Sequence, residues 1–268
     1  MFTFELYFLV PYFSLYFIVN RNLVIIPTYN ESENILDIIE AVMHLNVAFD
    51  VLIIDDGSPD GTSEIVKTAQ KKYTERLHLI QRAKKLGLGT AYIAGFDYAI
   101  KNGYDFVFEM DADFSHNPED LIKLYRACVD GNYDLAIGSR YITGVNVVNW
   151  PMGRVLMSWF ASWYVRLITG LPIMDTTAGF KCYRRKVLES LEPEKINFIG
   201  YAFQIEMKFN AWKRGFKLIE VPIVFTDRTK GTSKMSSGIF KEAVIGVIEL
   251  KIRSFFRKYE PSHTFNQT

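Results

Sequence analysis

The chain has 268 residues, 49% of them hydrophobic and 15% aromatic, with a formal net charge of +1. That length fits one large domain with peripheral additions, and the near-neutral charge gives no support for a general nucleic-acid binder. Two cysteines, Cys128 and Cys182, lie in unrelated apolar contexts, make no disulfide framework and point to a reducing compartment.

Residues 1–19 are apolar at fifteen positions and aromatic at eight, with Glu5 as the one charge. No basic stretch precedes this run, as a secretory signal requires, and Pro11 interrupts a length that barely spans a bilayer. A membrane-surface anchor is the first of three open readings, before an added element on the domain and a mis-assigned translation start. The domain proper is expected from about Arg21.

Strand and helix patterns then alternate. Leu23-Val24-Ile25-Ile26 reads as a strand, 33–44 as a helix, Val51-Leu52-Ile53-Ile54 as a strand and 61–73 as a helix. A short strand at 77–80, a helix at 88–100, a central strand at 104–110, a helix at 121–129 and a strand at 134–138 follow. Such βαβ alternation predicts an α/β fold, with a mostly parallel sheet covered by helices on both faces. No repeat, low-complexity tract or Pro/Gly/Ser-rich linker divides the chain. Two apolar segments come later. Residues 150–170 carry Trp150, Trp159, Trp163 and Tyr164 with only Arg154 and Arg166 charged, and read as an amphipathic interface helix. Residues 236–259 read as a second such helix. Charged residues interrupt any spanning run, and from 228 to 258 eight basic residues face Glu242 and Glu249. That excess favours an anionic leaflet, at about 1 kcal/mol per basic residue near the surface; a helix packed on its own domain is the competing reading.

Three strands end in polar loops. The first runs into Pro27-Thr28-Tyr29-Asn30-Glu31, the second into Asp55-Asp56-Gly57-Ser58-Pro59-Asp60-Gly61, and the central one into Asp111-Ala112-Asp113. In an open α/β sheet ligands bind at the carboxyl ends of the strands. Paired carboxylates there suit Mg²⁺ or Mn²⁺ shared with a substrate's phosphates. A capped turn with solvated acids is the plain alternative. Asn30-Glu31 can cap the next helix and Asp60-Gly61 can be a simple turn. His116, beside the acidic pair, reads as structural. The first loop lacks G-x-G-x-x-G, and Gly87-Leu88-Gly89, preceded by Arg82, Lys84 and Lys85, does not fit a P-loop, which disfavours a dinucleotide enzyme or a kinase.

The ordered set Pro27-Thr28-Tyr29-Asn30-Glu31, Asp55-Asp56-Gly57-Ser58, Asp111-Ala112-Asp113 and Gly138-Ser139-Arg140-Tyr141 resembles the inverting glycosyltransferases of family 2, which have the GT-A (Rossmann-like) fold. Four further segments resemble one branch, the dolichol-phosphate (polyprenol-phosphate) mannose synthases. They are Gly153-Arg154-Val155-Leu156-Met157-Ser158, Thr177-Ala178-Gly179-Phe180-Lys181, Gly200-Tyr201-Ala202-Phe203-Gln204-Ile205-Glu206, and the run from Phe225 through Asp227, Arg228 and Gly231 to Lys234. The likeness runs from about 23 to 259. It implies a catalytic domain at 21–235, an N-terminal extension at 1–20 and a C-terminal helix and tail at 236–268.

By position, the resemblance implies that Pro27, Tyr29, Glu31, Ile54 and Asp56 hold the guanine and ribose of GDP-mannose. Met110, Asp111, Ala112 and Asp113 would hold the diphosphate through a metal, with Asp111 and Asp113 as ligands of Mg²⁺ or Mn²⁺. Arg228 and Lys234, with Gly231, Thr232 and Ser233 between them, would form a lid that closes over the donor. Arg140, Arg154 and Ser158 would take the phosphate of the lipid acceptor, and Arg140 also meets the donor. Some relatives carry an amide two residues after the second aspartate as a further ligand. Here that residue is Ser115, which leaves Asp113 as the main protein ligand.

The chemistry suits these residues. A leaving diphosphate gains charge that a metal and fixed cations stabilise. A phosphate monoester acceptor is already ionised and needs no strong base, and arginine's planar fork binds it well. A surface salt bridge is the plain alternative for Arg140 and Arg154. The resulting expectation is a peripheral enzyme at the cytoplasmic face of a membrane, without an obligate protein partner, that makes polyprenyl (dolichyl or undecaprenyl) phosphate mannose. Another donor such as UDP-glucose stays open, because spacing does not read a base or a sugar. From other classes, a non-catalytic nucleotide-sugar or lipid-phosphate binder and a magnesium-dependent phosphohydrolase compete less well.

Overall fold

The computed structural model describes residues 20–192, 196, 198, 200–228 and 237–259. The first half follows the alternation read from the sequence. It comprises β1 (Asn22–Thr28), α1 (Ile35–Met43), β2 (Asp50–Asp55), α2 (Thr62–Gln70), β3 (Leu77–Gln81), α3 (Leu88–Lys101), β4 (Phe106–Glu109), α4 (Asp120–Val129) and β5 (Leu135–Ser139). The second half adds β6 (Val147–Val148), α5 (Met152–Thr169), β7 (Lys181–Arg184), α6 (Arg185–Leu191), α7 (Tyr201–Lys213), β8 (Leu218–Pro222), β9 (Phe225–Thr226) and α8 (Ser237–Phe256).

Seven strands form one sheet in the order β3-β2-β1-β4-β7-β5-β8, and β6 pairs with β9 beside it. β1 lies between β2 and β4 and is parallel to both. The chain therefore leaves β1 in one direction and returns on its other side, and this switch point opens a crevice at the carboxyl ends of the strands. All three polar loops seen in the sequence end there. Apolar residues alternate between two cores. Val24, Ile26, Phe106, Phe108 and Met110 face α1, α2 and α4, whereas Leu23, Ile25 and Val107 face α3, α6 and α7. A third cluster of Val165, Ile205, Phe209, Val247 and Leu250 docks α8 onto α5 and α7.

One strand departs from the parallel plan. β7 is antiparallel to both β4 and β5, with Glu109 opposite Lys181. Both side chains are fully buried. Lys181 Nζ lies 3.1 Å from Glu109 Oε1 and also donates to Gln204 Oε1. Tyr183 Oη donates to Glu109 at 2.9 Å and Gln204 Nε2 donates to it at 2.7 Å, so this buried carboxylate is well supplied with donors. The cysteines also meet in space, contrary to their unrelated sequence contexts. Cys128 on α4 donates its thiol to the Cys182 carbonyl at 3.7 Å, and both thiols are free and buried.

The Glu109–Lys181 pair makes a testable point. Lys181→Met should destabilise the fold by about 3–5 kcal/mol in urea unfolding, because it strands a buried carboxylate. Adding Glu109→Leu should recover much of that loss. Additive losses in the double variant would mean that the two side chains do not act as a pair.

Candidate active site

The loops after β1 and β2 are stitched together by short polar side chains. Asp55 is fully buried at the end of β2. Burial alone would raise its carboxyl, but donors from Ser58, Ser63 and Thr28 hold it below the usual carboxylate range. Asn30 N donates to Ser58 Oγ at 2.9 Å, Glu31 N to Thr62 Oγ1 at 3.0 Å and Ser32 N to Asp60 Oδ2 at 3.0 Å. Gly57 sits at φ +71°, where an added Cβ would lie 3.1 Å from the Arg82 carbonyl oxygen, so the turn needs glycine. Asp56 does something different. It forms an ion pair with Arg82 and accepts from Leu86 N at 3.2 Å, while Arg82 Nη1 reaches Thr90 Oγ1 at 2.7 Å. Pro27 and Ile54 are partners in the β1–β2 register, and Lys85 lies over the Tyr29 ring at 4.8 Å. Pro27, Tyr29, Glu31, Ile54 and Asp56 are thus gathered on the β1–β2 side of the crevice.

The acidic segment follows β4. Met110 and Ala112 turn into the core, which leaves Asp111 and Asp113 on the other side of the chain. Phe114 adopts φ +58°, an unusual conformation for a bulky residue and one that clusters at functional sites. Asp113 accepts from Ser115 N at 3.1 Å and lies 3.0 Å from Arg228 Nη2. The route of Arg228 is visible in the backbone. Phe225 bridges His116 and Thr226 N donates to the Ser115 carbonyl at 3.1 Å, so β9 carries Arg228 back over the acidic loop. The Asp111 side chain is 45% exposed at the mouth of the crevice, so it is only partly desolvated. Burial, and then repulsion from Asp113, push its carboxyl up to about 7. His116 is 4% exposed, with Nδ1 4.0 Å from Asp111 Oδ2. Burial brings its pKa down to about 4, against the pull of Asp113.

Do these residues fit a divalent cation? Two carboxylates repel each other, and that repulsion helps to raise the Asp111 carboxyl. The Ser115 Oγ and His116 Nδ1 atoms beside them are buried without a hydrogen-bond partner among the described residues. That donor set suits a hard cation that would relieve the crowding. Among the described residues no three His, Cys, Asp or Glu side chains already converge as a complete metal cage. Substrate oxygens complete such sites in phosphate enzymes.

The arginines lie across an aromatic cluster from the acids. His116 stacks on Phe180 at 4.7 Å and meets Phe225 edge-on at 5.2 Å; Phe225 in turn meets Trp150 at 5.1 Å. Arg140 is buried, and its Nε and Nη2 each lie 2.6 Å from a carboxylate oxygen of Asp175. Its Nη2 also reaches Thr177 Oγ1 at 2.9 Å. The fork expected to meet phosphate thus already grips a carboxylate. Arg154 is more open. Its Nη1 bonds both oxygens of Asp227 at 2.9 and 3.0 Å, and its guanidinium lies 4.2 Å from the Trp150 ring centroid. Ser158, one turn along α5, sits beside Tyr141. Lys234, and the lid expected between it and Arg228, lie outside the described residues, as does the extension at 1–19.

Sequence reasoning did not assign a partner to Asp56, nor a role to Asp175, Phe225 or Asp227. Phe225 and Asp227 lie within a quoted motif and Asp175 just before one, but nothing in one sequence says which arginine a distant carboxylate will meet.

The Asp175–Arg140 pair carries a pH signature. Burial would raise the Asp175 carboxyl, but the Arg140 charge and its hydrogen bonds outweigh that and hold it low. A depressed folded pKa contributes stability above the unfolded value, about 3.9, and loses it as pH falls further. Asp175→Asn should therefore be less stable than the native chain at pH 7 by about 3–5 kcal/mol. The gap should narrow in urea unfolding curves taken from pH 4 downwards; a gap independent of pH would remove the ion pair as its cause.

The glycosyl transferase family 2 model matches residues 23–192. A polyprenol monophosphomannose synthase of Mycolicibacterium smegmatis is 47% identical over 233 residues, covering 87% of this chain and 88% of that protein. An undecaprenyl-phosphate mannosyltransferase of Micrococcus luteus is 44% identical over 227 residues, covering 85% and 92%. Among solved structures, glucosyl-3-phosphoglycerate synthase from Mycobacterium tuberculosis, in complex with Mn²⁺, uridine diphosphate and glucosyl-3-phosphoglycerate, superposes with a TM-score of 0.64. It covers 87% of this chain and 79% of that one at 16% identity, a likeness of fold. The family match across most of the chain, the two extended relatives and the GT-A sheet with its acidic crevice agree: the chain belongs to glycosyltransferase family 2.

Proposed function

We propose that this enzyme transfers mannose from GDP-mannose to a polyprenyl phosphate, inverting the anomeric centre and releasing GDP. The observation that carries the reading is an acidic pair and an open arginine held on either side of one aromatic cluster, in a chain 44–47% identical to proteins named for mannosyl transfer to polyprenyl phosphates. Pro27, Tyr29, Glu31, Ile54 and Asp56 take the nucleoside. Asp111 and Asp113 would hold a divalent cation, Mg²⁺ or Mn²⁺, which when bound supplies Lewis-acid stabilisation of the leaving diphosphate. Arg228, now on Asp113, would exchange that carboxylate for the diphosphate, and Lys234 would join it. On the acceptor side Arg154 offers the planar fork, with Ser158 beside it on the same face of α5 and Arg140 behind. The acceptor is already an oxyanion, so orientation rather than proton removal is what these side chains provide. This fits a site in which burial holds the His116 pKa well below that of a free imidazole.

Membrane contact is part of the proposal. The outward face of α5 presents Met152, Leu156, Phe160, Trp163 and Leu167, and that of α8 presents Ile245, Ile252, Phe255 and Phe256. These helices pack together, with Tyr164 Oη donating to the Val244 carbonyl at 3.0 Å, so their apolar faces are neighbours. Among the described residues no helix is long and apolar enough to cross a membrane. A lipid phosphate delivered along this face meets Arg154 on α5 first. We take 21–235 as the catalytic domain and the following helix as its membrane-facing extension.

Two measurements test these statements. Labelled GDP-mannose and UDP-glucose, each offered with undecaprenyl and dolichyl phosphate and with Mg²⁺ or Mn²⁺, should give lipid-linked mannose from GDP-mannose and no lipid-linked glucose from UDP-glucose. Equal use of UDP-glucose would overturn the donor assignment. In the same assay Arg154→Lys should raise the apparent KM for lipid phosphate about tenfold or more, leaving that for donor nearly unchanged. Equal damage to both constants would make Arg154 structural. In flotation with anionic vesicles, Phe255→Ser combined with Phe256→Ser should weaken binding severalfold, and salt should weaken it in every variant. Vesicle binding unaffected by the paired change would remove α8 from the membrane contact.

A further inference from the structure

His116 is a buried polar side chain beside the acidic pair, and its Nδ1 atom has no hydrogen-bond partner among the described residues. It is 4% exposed, stacked on Phe180 at 4.7 Å with planes 12° apart, and closed on another side by Phe225 at 5.2 Å and 84°. Its backbone is pinned by the bridge to Phe225. Three contacts therefore fix the ring before any ligand arrives. Nδ1 is buried with no hydrogen-bond partner among the described residues, a costly state of about 1–3 kcal/mol for a polar atom. The nearest carboxylate oxygen is Asp111 Oδ2 at 4.0 Å. Asp111 is the open member of this pair: its side chain is 45% exposed whereas that of His116 is 5% exposed.

We propose that His116 is a positioning residue: its Nδ1–H donates to Asp111 Oδ2 when the site is loaded, which orients the carboxylate so that its other oxygen faces the cation. The gap of 4.0 Å is about 1 Å longer than a charge-assisted hydrogen bond, and a small rotation of Asp111 closes it. The tautomer follows from the partner. A lone pair on Nδ1 would face a carboxylate lone pair, so the proton belongs on Nδ1. Carboxylates that bind metals are themselves commonly held by such donors, and removing the donor typically costs 10–100-fold in metal affinity. The site has particular need of one. Asp113 has Ser115 N on one oxygen and Arg228 beside the other, whereas Asp111 Oδ2 faces His116 Nδ1 across 4.0 Å. This inference rests on the reading of Asp111 and Asp113 as cation ligands.

The test is Mn²⁺ binding in the presence of GDP, followed by the loss of the free-ion electron paramagnetic resonance signal, with the full chain. His116→Phe keeps the ring stack and loses the nitrogen; it should weaken Mn²⁺ binding 10–100-fold. His116→Asn places an amide N–H near the position of Nδ1 and should recover affinity to within about threefold, whereas His116→Gln, whose amide matches Nε2, should not. Urea unfolding of each variant separates binding from folding. Should His116→Phe destabilise the fold, the Asn and Gln pair alone decides, since both carry an amide and differ in reach. Native affinity in His116→Phe, or equal affinity in the Asn and Gln variants, overturns the role of His116 while leaving the metal reading intact. Absence of Mn²⁺ binding by the native chain with GDP overturns both.

Discussion

Three carboxylates at the end of one strand, at positions 109, 111 and 113, govern much of this structure. They alternate with core residues and so share a side of the chain, where mutual repulsion must be answered. The fold answers it at graded depth. Glu109, fully buried, receives Lys181, Gln204 and Tyr183 from elements that arrive much later in the sequence. Asp113 receives Arg228 from the segment after β9. At Asp111, nearest the opening, burial and then repulsion from Asp113 push the carboxyl up to about 7. An antiparallel strand inside a parallel sheet is the visible consequence, since β7 brings Lys181 opposite Glu109. The second half of the chain serves largely to answer charge placed by the first.

Much of this was legible before any coordinates. The first five strands and four helices, the crevice at their carboxyl ends and the acidic pair follow from apolar runs that stop at Asp and Asn clusters. Those signals are local, and local periodicity suffices to read them. β7 was hidden because Lys181 and Arg184 break its apolar pattern; a buried lysine looks polar in sequence until its carboxylate is found. β6 and β9, two residues each, have no period to detect. The cysteines looked unrelated because 54 positions separate them, although α4 packs on β7.

The site was legible in kind more than in partnership. Arginines at 140 and 154 were expected side by side at one phosphate. The fold distinguishes them by depth, with Arg140 buried against Asp175 and Arg154 more open on α5. Depth decides what a charge can do, because a buried arginine separated from its carboxylate carries a far larger desolvation cost than one at the surface. Likewise the paired aspartates after β2 serve two purposes. Asp55 organises its own turn, whereas Asp56 is tied to Arg82. No property of the two-letter repeat distinguishes them.

Asp227 and Arg228 are neighbours in the chain, yet one bonds Arg154 and the other Asp113. Surface segments of this kind ordinarily accept insertions and deletions. Here a single added or lost residue would move one of these contacts off its partner, and the short β9 strand just before them leaves little slack to absorb the slip. The permissible length variation between β8 and Arg228 is therefore close to zero. Among natural variants of this fold, gaps should avoid the stretch between β8 and Arg228.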